Sequence, residues 1–148
     1  MTQSFEGLST GLIGATAAWL ACSLGDLLGG TPFRTYAVLG GFLGAAWPAT
    51  TSTVVHFVLW AAGATLVVVA VREAERVPPI LMGLTLGFIL LHFFFVLGTF
   101  VLSLVGLGAT GWRILLIGHA TGIAAVAWYI RRNHPRLSEV YVHIGDPV

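Results

Sequence analysis

Charge is what this sequence most lacks. Seven basic and six acidic residues amount to 9% of a 148-residue chain, against about 25% in an ordinary soluble domain. A water-facing surface cannot be assembled from so small a pool. The net charge of +1 offers no field for a polyanion, and neither a basic run nor basic–aromatic interleaving occurs, so nucleic acid is not an expected partner. Cysteine occurs once, at Cys22, which excludes an intrachain disulfide and a thiolate metal cluster. Its apolar setting suits a small packing residue. Catalytic signatures are missing as well: there is no G-x-x-x-x-G-K-[ST], G-x-S-x-G, H-E-x-x-H or C-x-x-C. No pair of mid-membrane carboxylates suggests an ion-coupled pump, and no paired broken helices suggest a secondary transporter. These absences argue against an enzyme with its own catalytic machinery.

What fills the chain instead is apolar. Hydrophobic residues make up 57% of it and the mean hydropathy is +0.92, which places it among integral membrane proteins. A spanning helix needs about 20 apolar residues, and Leu8–Leu28, Pro79–Val105 and Trp112–Ile130 satisfy this. The N-terminal stretch MTQSFEGLSTG has neither a basic n-region nor a following A-x-A site, so the first span is expected to be retained. Tyr36 to Val71 as one helix would run about 54 Å, too long for a hydrocarbon core of about 30 Å. Pro48 breaks that run, and Thr50, Thr51, Ser52 and Thr53 offer N-caps for a new helix. The expectation is a span at Thr53–Val71, preceded by a short interfacial or re-entrant helix at Tyr36–Trp47. The predicted fold is thus all-α: an integral membrane four-helix bundle with a short helix between spans 1 and 2. One domain covers 1–133, and 134–148 forms a cytoplasmic tail.

Four spans put both termini on one side. Arg72, Arg76, Arg131, Arg132 and Arg136 fall there, and only Arg34 and Arg113 fall opposite. The positive-inside rule then predicts a multi-pass protein of the bacterial inner membrane with N- and C-termini cytoplasmic. Trp47, Trp112, Trp128 and Tyr129 sit near the predicted interfaces as an aromatic belt. Small residues recur at four-residue spacing, in Gly7/Gly11, Gly14/Ala18, Gly40/Gly44, Gly83/Gly87 and Gly118/Gly122, the spacing that lets helix backbones approach closely in lipid.

Against this oil stand three histidines: His56 in STVVHFVLW, His92 in GFILLHFFFVLG and His119 in LLIGHATGI. Counted from the cytoplasmic ends at 1.5 Å per residue, they lie about 24, 21 and 18 Å up their helices, in one layer. A neutral imidazole there can ligate haem iron or a chlorin magnesium, hydrogen-bond a quinone or relay protons. It can also tie helices together through a backbone carbonyl or a hydroxyl such as Thr85, Thr99, Ser103 or Thr121. His56 is expected in the first turn of its helix, near water. Asp26, at the outer interface, is expected to pair with Arg34 or Arg113. REAER at 72–76 reads as a solvated helix end, and His134 and His143 as exposed tail residues. The tail's VYVHI could add a strand to a partner, or Leu137, Val140, Tyr141 and Ile144 could form one face of a short helix.

These features lead to an expected function. The chain would be a small accessory subunit of a larger respiratory or photosynthetic membrane complex, in contact with lipid and with other subunits or further copies of itself. The cofactor-binding residues would be His92, His119 and His56, and the group a haem b, chlorin or quinone, with no metal site built from protein side chains alone. The alternatives are a self-sufficient haem- or metal-binding electron-transfer protein, and a small transporter or channel.

Overall fold

The computed structural model describes residues 3–77 and 80–137; VYVHI and His143 lie outside them. The described residues are all-helical, without strands, and four of the helices are long and apolar enough to cross a membrane.

α1 (Gln3–Leu28) carries Glu6 in its first turn, the sign that the helix dipole favours. It stops at Gly29 and Gly30. Gly30 takes φ 71°, the left-handed conformation that ends many helices. α2 (Arg34–Phe42) begins after Phe33, which has no capping side chain. Asp26, the third-last residue of α1, does that work from nine residues back. Its carboxylate accepts from the Thr35 backbone N–H and the Thr35 hydroxyl, both at 2.7 Å. Asp26 is only 1% exposed. The expected pairing with Arg34 or Arg113 is therefore corrected: the carboxylate faces inward because α2's unsatisfied N–H groups need an acceptor more than the surface needs a salt bridge.

The short helix ends at Phe42 rather than Trp47, where Gly44 turns the chain at φ 64°. α3 (Pro48–Arg76) then starts on Pro48 itself, since a proline at the first helical position gives up no hydrogen bond. The threonine and serine run is therefore helical rather than capping. Ser52 instead donates its hydroxyl to the Tyr36 carbonyl at 2.5 Å, which pins α2 to α3. With its helix starting at Pro48, His56 sits two turns inside it, not in the first turn.

α4 (Ile80–Leu102) passes through a π-helical turn, Ser103–Leu107, into α5 (Gly108–Asn133). Gly106 at φ 155° and Gly108 at φ 72° reverse the chain there, at angles that side-chain-bearing residues rarely adopt.

α1 is the central element, packed along its length on α3 and α5. The small residues make this approach possible. A Cβ built on Gly11 would come within 2.5 Å of the Ala61 Cα in α3, and one on Gly7 within 2.7 Å of the Thr65 Cα. Gly118 and Gly122 of α5 accept Cys22 of α1 and the Trp60 ring of α3 in the same way. Gly83 and Gly87 do not behave as expected. Nothing lies within 4 Å of a Cβ at either, because α4 stands off from α3 and α5, and most of its apolar side chains point outward.

Candidate functional site

The stand-off of α4 opens a cavity of about 790 Å³ between α3, α4 and α5, within the range of about 300–1,000 Å³ typical of ligand pockets. All three predicted histidines line it, together with Tyr36 and Trp60. Their rings form a relay across four helices. Tyr36 of α2 meets His56 of α3 edge-on at 5.5 Å between centroids, His56 is 6.0 Å from Trp60, Trp60 is 5.5 Å from His119 of α5, and His119 is 5.3 Å from His92 of α4. Trp60 reaches this position because Gly14 and Gly122 leave room for its ring between α1 and α5.

Each imidazole is held differently. One His56 ring nitrogen, Nε2, donates to the Ala15 carbonyl of α1 at 3.1 Å, so the lone pair of the neutral ring is on Nδ1. His92 donates from Nδ1 to the Phe88 carbonyl one turn back, at 2.7 Å, which leaves its lone pair on Nε2. His119 is stacked on Phe95 at 3.8 Å between centroids, and its Nε2 is buried without a hydrogen-bond partner. Three of the expected hydroxyl partners do other work. Thr99 receives the Trp112 indole N–H at 3.3 Å, while Ser103 and Thr121 bond to their own helix at Phe100 and Ile117. Backbone carbonyls, always available along a helix, take the histidine protons instead.

A second buried polar atom lies at this end of the cavity. Tyr36 is 1% exposed and its hydroxyl has no oxygen or nitrogen partner, only the Cys22 thiol beside it; that thiol donates to the Ile114 carbonyl at 3.6 Å. Burial pushes the Tyr36 phenol well above its ordinary value, so it remains a neutral O–H donor. Sequence reasoning missed it because nothing in RTYAVL distinguishes a buried tyrosine from an interfacial one.

The geometry limits the chemistry. Two histidines that clamp an iron from opposite sides, at about 2 Å per Fe–N bond, place their ring centroids about 6 Å apart with a macrocycle between them. The 5.3 Å between His92 and His119 is too short for that, so these two rings do not fit a bis-histidine haem as they stand. A single axial bond from His92 Nε2 fits better, since a ligating imidazole ordinarily anchors its other N–H on a carbonyl or carboxylate. Among the described residues no group of three or more His, Cys, Asp or Glu side chains is arranged to hold a metal ion.

At the opposite end of the helices lies a polar cluster that the sequence did not announce. His134 is 8% exposed, not free in the tail as expected. Its Nε2 meets Glu6 Oε1 at 2.6 Å and its Nδ1 meets Glu75 Oε1 at 3.0 Å, while Arg72 also pairs with Glu6. REAER is thus only partly solvated: Arg72 and Glu75 turn inward, and Arg76 and Glu73 pair on the surface at 3.3 Å. The signal was there in its spacing, since residues 72 and 75 share a helix face. His134 and Arg131 also line this end of the cavity.

No family model, curated protein or solved structure matches the chain.

Proposed function

We propose that this chain is a small accessory subunit of a larger respiratory or photosynthetic membrane complex. It would fold as a four-helix transmembrane bundle with both termini on the cytoplasmic side of a bacterial inner membrane, and hold a lipophilic group, a tetrapyrrole or quinone, in the cavity beside α4. The observation that carries this reading is His92: its Nδ1 proton is committed to Phe88 at 2.7 Å, so a lone pair is available on Nε2 in the wall of an apolar chamber. An intramembrane ionisable group in such a place is a functional site by default.

The subunit role draws on α4. A Cβ added at Gly83, Gly87 or Gly98 would meet nothing within 4 Å, and Leu90, Phe93 and Phe94 are exposed outside the cavity. Such a face suits lipid or a neighbouring membrane helix. The orientation follows from the arginine asymmetry.

The test is purification from the native membrane in mild detergent, followed by an absorption spectrum, organic extraction with mass spectrometry, and native mass determination. The expected result is a stoichiometric membrane partner and a bound lipophile that is lost from His92→Ala. A chain without partners and with nothing in the extract refutes the proposal.

A further inference from the structure

The cavity has a direction. Its lining on α5 runs from Leu115 to Arg131, sixteen residues or about 24 Å at 1.5 Å per residue, most of a hydrocarbon core of about 30 Å. Arg131 stands at one end and is the only Asp, Glu, Lys or Arg among the described residues that line it. At the other end are a phenol, a thiol and the imidazoles of His56, His92 and His119, while His134 lies with Arg131; between the ends the walls are Val67, Val71, Ile123 and Val126. His119 lies about 18 Å along α5 from Arg131.

Two atoms at the α2 end lack what buried polar atoms normally have. His119 Nε2 is enclosed without a partner, and the Tyr36 hydroxyl has only the weakly accepting Cys22 sulfur beside it, whereas about nine in ten buried polar groups are hydrogen-bonded. We propose that this end is the headgroup site of a long-chain, lipid-soluble molecule. Its ring head would be neutral and carry carbonyl or hydroxyl oxygens, the class of alkylated or prenylated quinones and phenols, and its tail would run towards Arg131. The proposal rests on the reading of the cavity as a ligand chamber.

The chemistry favours this class over a tetrapyrrole. A metal centre answers a lone pair, such as that on His92 Nε2, but it leaves the Tyr36 O–H with only the Cys22 sulfur as acceptor. A carbonyl oxygen accepts from Tyr36, and a hydroxyl donates to His92 or His119. A compact macrocycle would also leave much of the chamber's length unfilled, whereas a chain fills it. An ionised head does not suit this end, where no opposite charge among the lining residues would offset its desolvation.

The test uses the full chain in phosphatidylcholine nanodiscs with decylubiquinone as probe, read by quenching of Trp60 fluorescence, with Trp60→Phe as background. Saturable binding is expected. Tyr36→Phe, which keeps the ring and the Ser52 bond to the Tyr36 carbonyl, should weaken it about three- to tenfold, the net worth of one hydrogen bond. His119→Phe, which preserves stacking on Phe95, should act similarly; circular dichroism confirms that both fold. Decylbenzene, which has the tail without the head, should compete poorly. If Tyr36→Phe and His119→Phe bind as tightly as the parent, or decylbenzene displaces the quinone as well as unlabelled quinone does, the headgroup site is overturned. If haemin binds with a Soret shift that His92→Ala abolishes while decylubiquinone does not bind, the proposal falls and the ligand chamber stands. If neither binds, both fall.

Discussion

Gly11 and Gly83 look alike in the sequence, each with a second glycine four residues away on an apolar helix, yet the structure predicts opposite effects of the same added methyl. At Gly11 a Cβ would lie 2.5 Å from the Ala61 Cα and 2.9 Å from both the Ala61 nitrogen and the Trp60 carbonyl oxygen. Comfortable carbon contacts are about 3.5–4.0 Å, so α1 and α3 must separate by about 1 Å at this crossing. The obstruction is backbone, which no rotamer change can move. Overpacking of this kind costs about 1–3 kcal/mol. At Gly83 the methyl meets nothing within 4 Å, and replacing glycine by alanine within a helix gains up to about 1 kcal/mol. That propensity gain is common to both sites, so the difference between Gly11→Ala and Gly83→Ala isolates the steric cost at about 1–3 kcal/mol. The assay is reversible unfolding of the purified chain in mixed micelles, followed by helical circular dichroism. Gly83→Ala should be neutral or stabilising and Gly11→Ala destabilising. Equal stabilities for the two variants would refute the assignment of α1 as the central helix.

Three other perturbations follow from the contacts. Glu6→Ala should cost about 1.5–3 kcal/mol, because it leaves the half-buried Arg72 and one ring nitrogen of buried His134 without their shared carboxylate, while Arg76→Ala, whose Glu73 partner is on the surface, should cost under about 1 kcal/mol; equal small losses in the same unfolding assay would contradict a buried network. Asp26→Ala should loosen α2, since each hydrogen bond to the charged group is worth about 1.5–3 kcal/mol. Faster amide exchange at Thr35 and Tyr36 with little change in α5 would show it, and unchanged exchange would exclude the capping role. His56→Phe should cost only about 0.6 kcal/mol and at most about 1.7 kcal/mol, the average and the maximum for side-chain hydrogen bonds between membrane helices, and should leave ligand occupancy in place; loss of the ligand in a stably folded variant would move His56 from helix tie to ligand contact.

How much of this could be read in advance depended on the range of the forces involved. Helix number and length follow from local composition, because a chain with 9% charge must satisfy its backbone hydrogen bonds within each segment. The break at Pro48 was likewise local, although the proline starts the helix instead of preceding a threonine cap. The shared depth of His56, His92 and His119 came from counting 1.5 Å per residue, and all three do line one cavity.

Rotation about each helix axis was beyond such counting, because apolar residues surround every span and no amphipathic face announces which side is buried. Hence Gly83 and Gly11 could not be told apart, nor could His56, tied to Ala15, be distinguished from His92, tied within its own helix. Asp26 and His134 show the same limit at the ends of the helices. Whether a charged group there faces water or the interior depends on which unsatisfied partner the packing brings near: Thr35 for Asp26, and Glu6 with Glu75 for His134. Composition and spacing therefore determined the number of long apolar helices and which of them carry a histidine. The tertiary structure decided which groups meet, because in an all-apolar setting the meeting depends on close packing between helices distant in sequence.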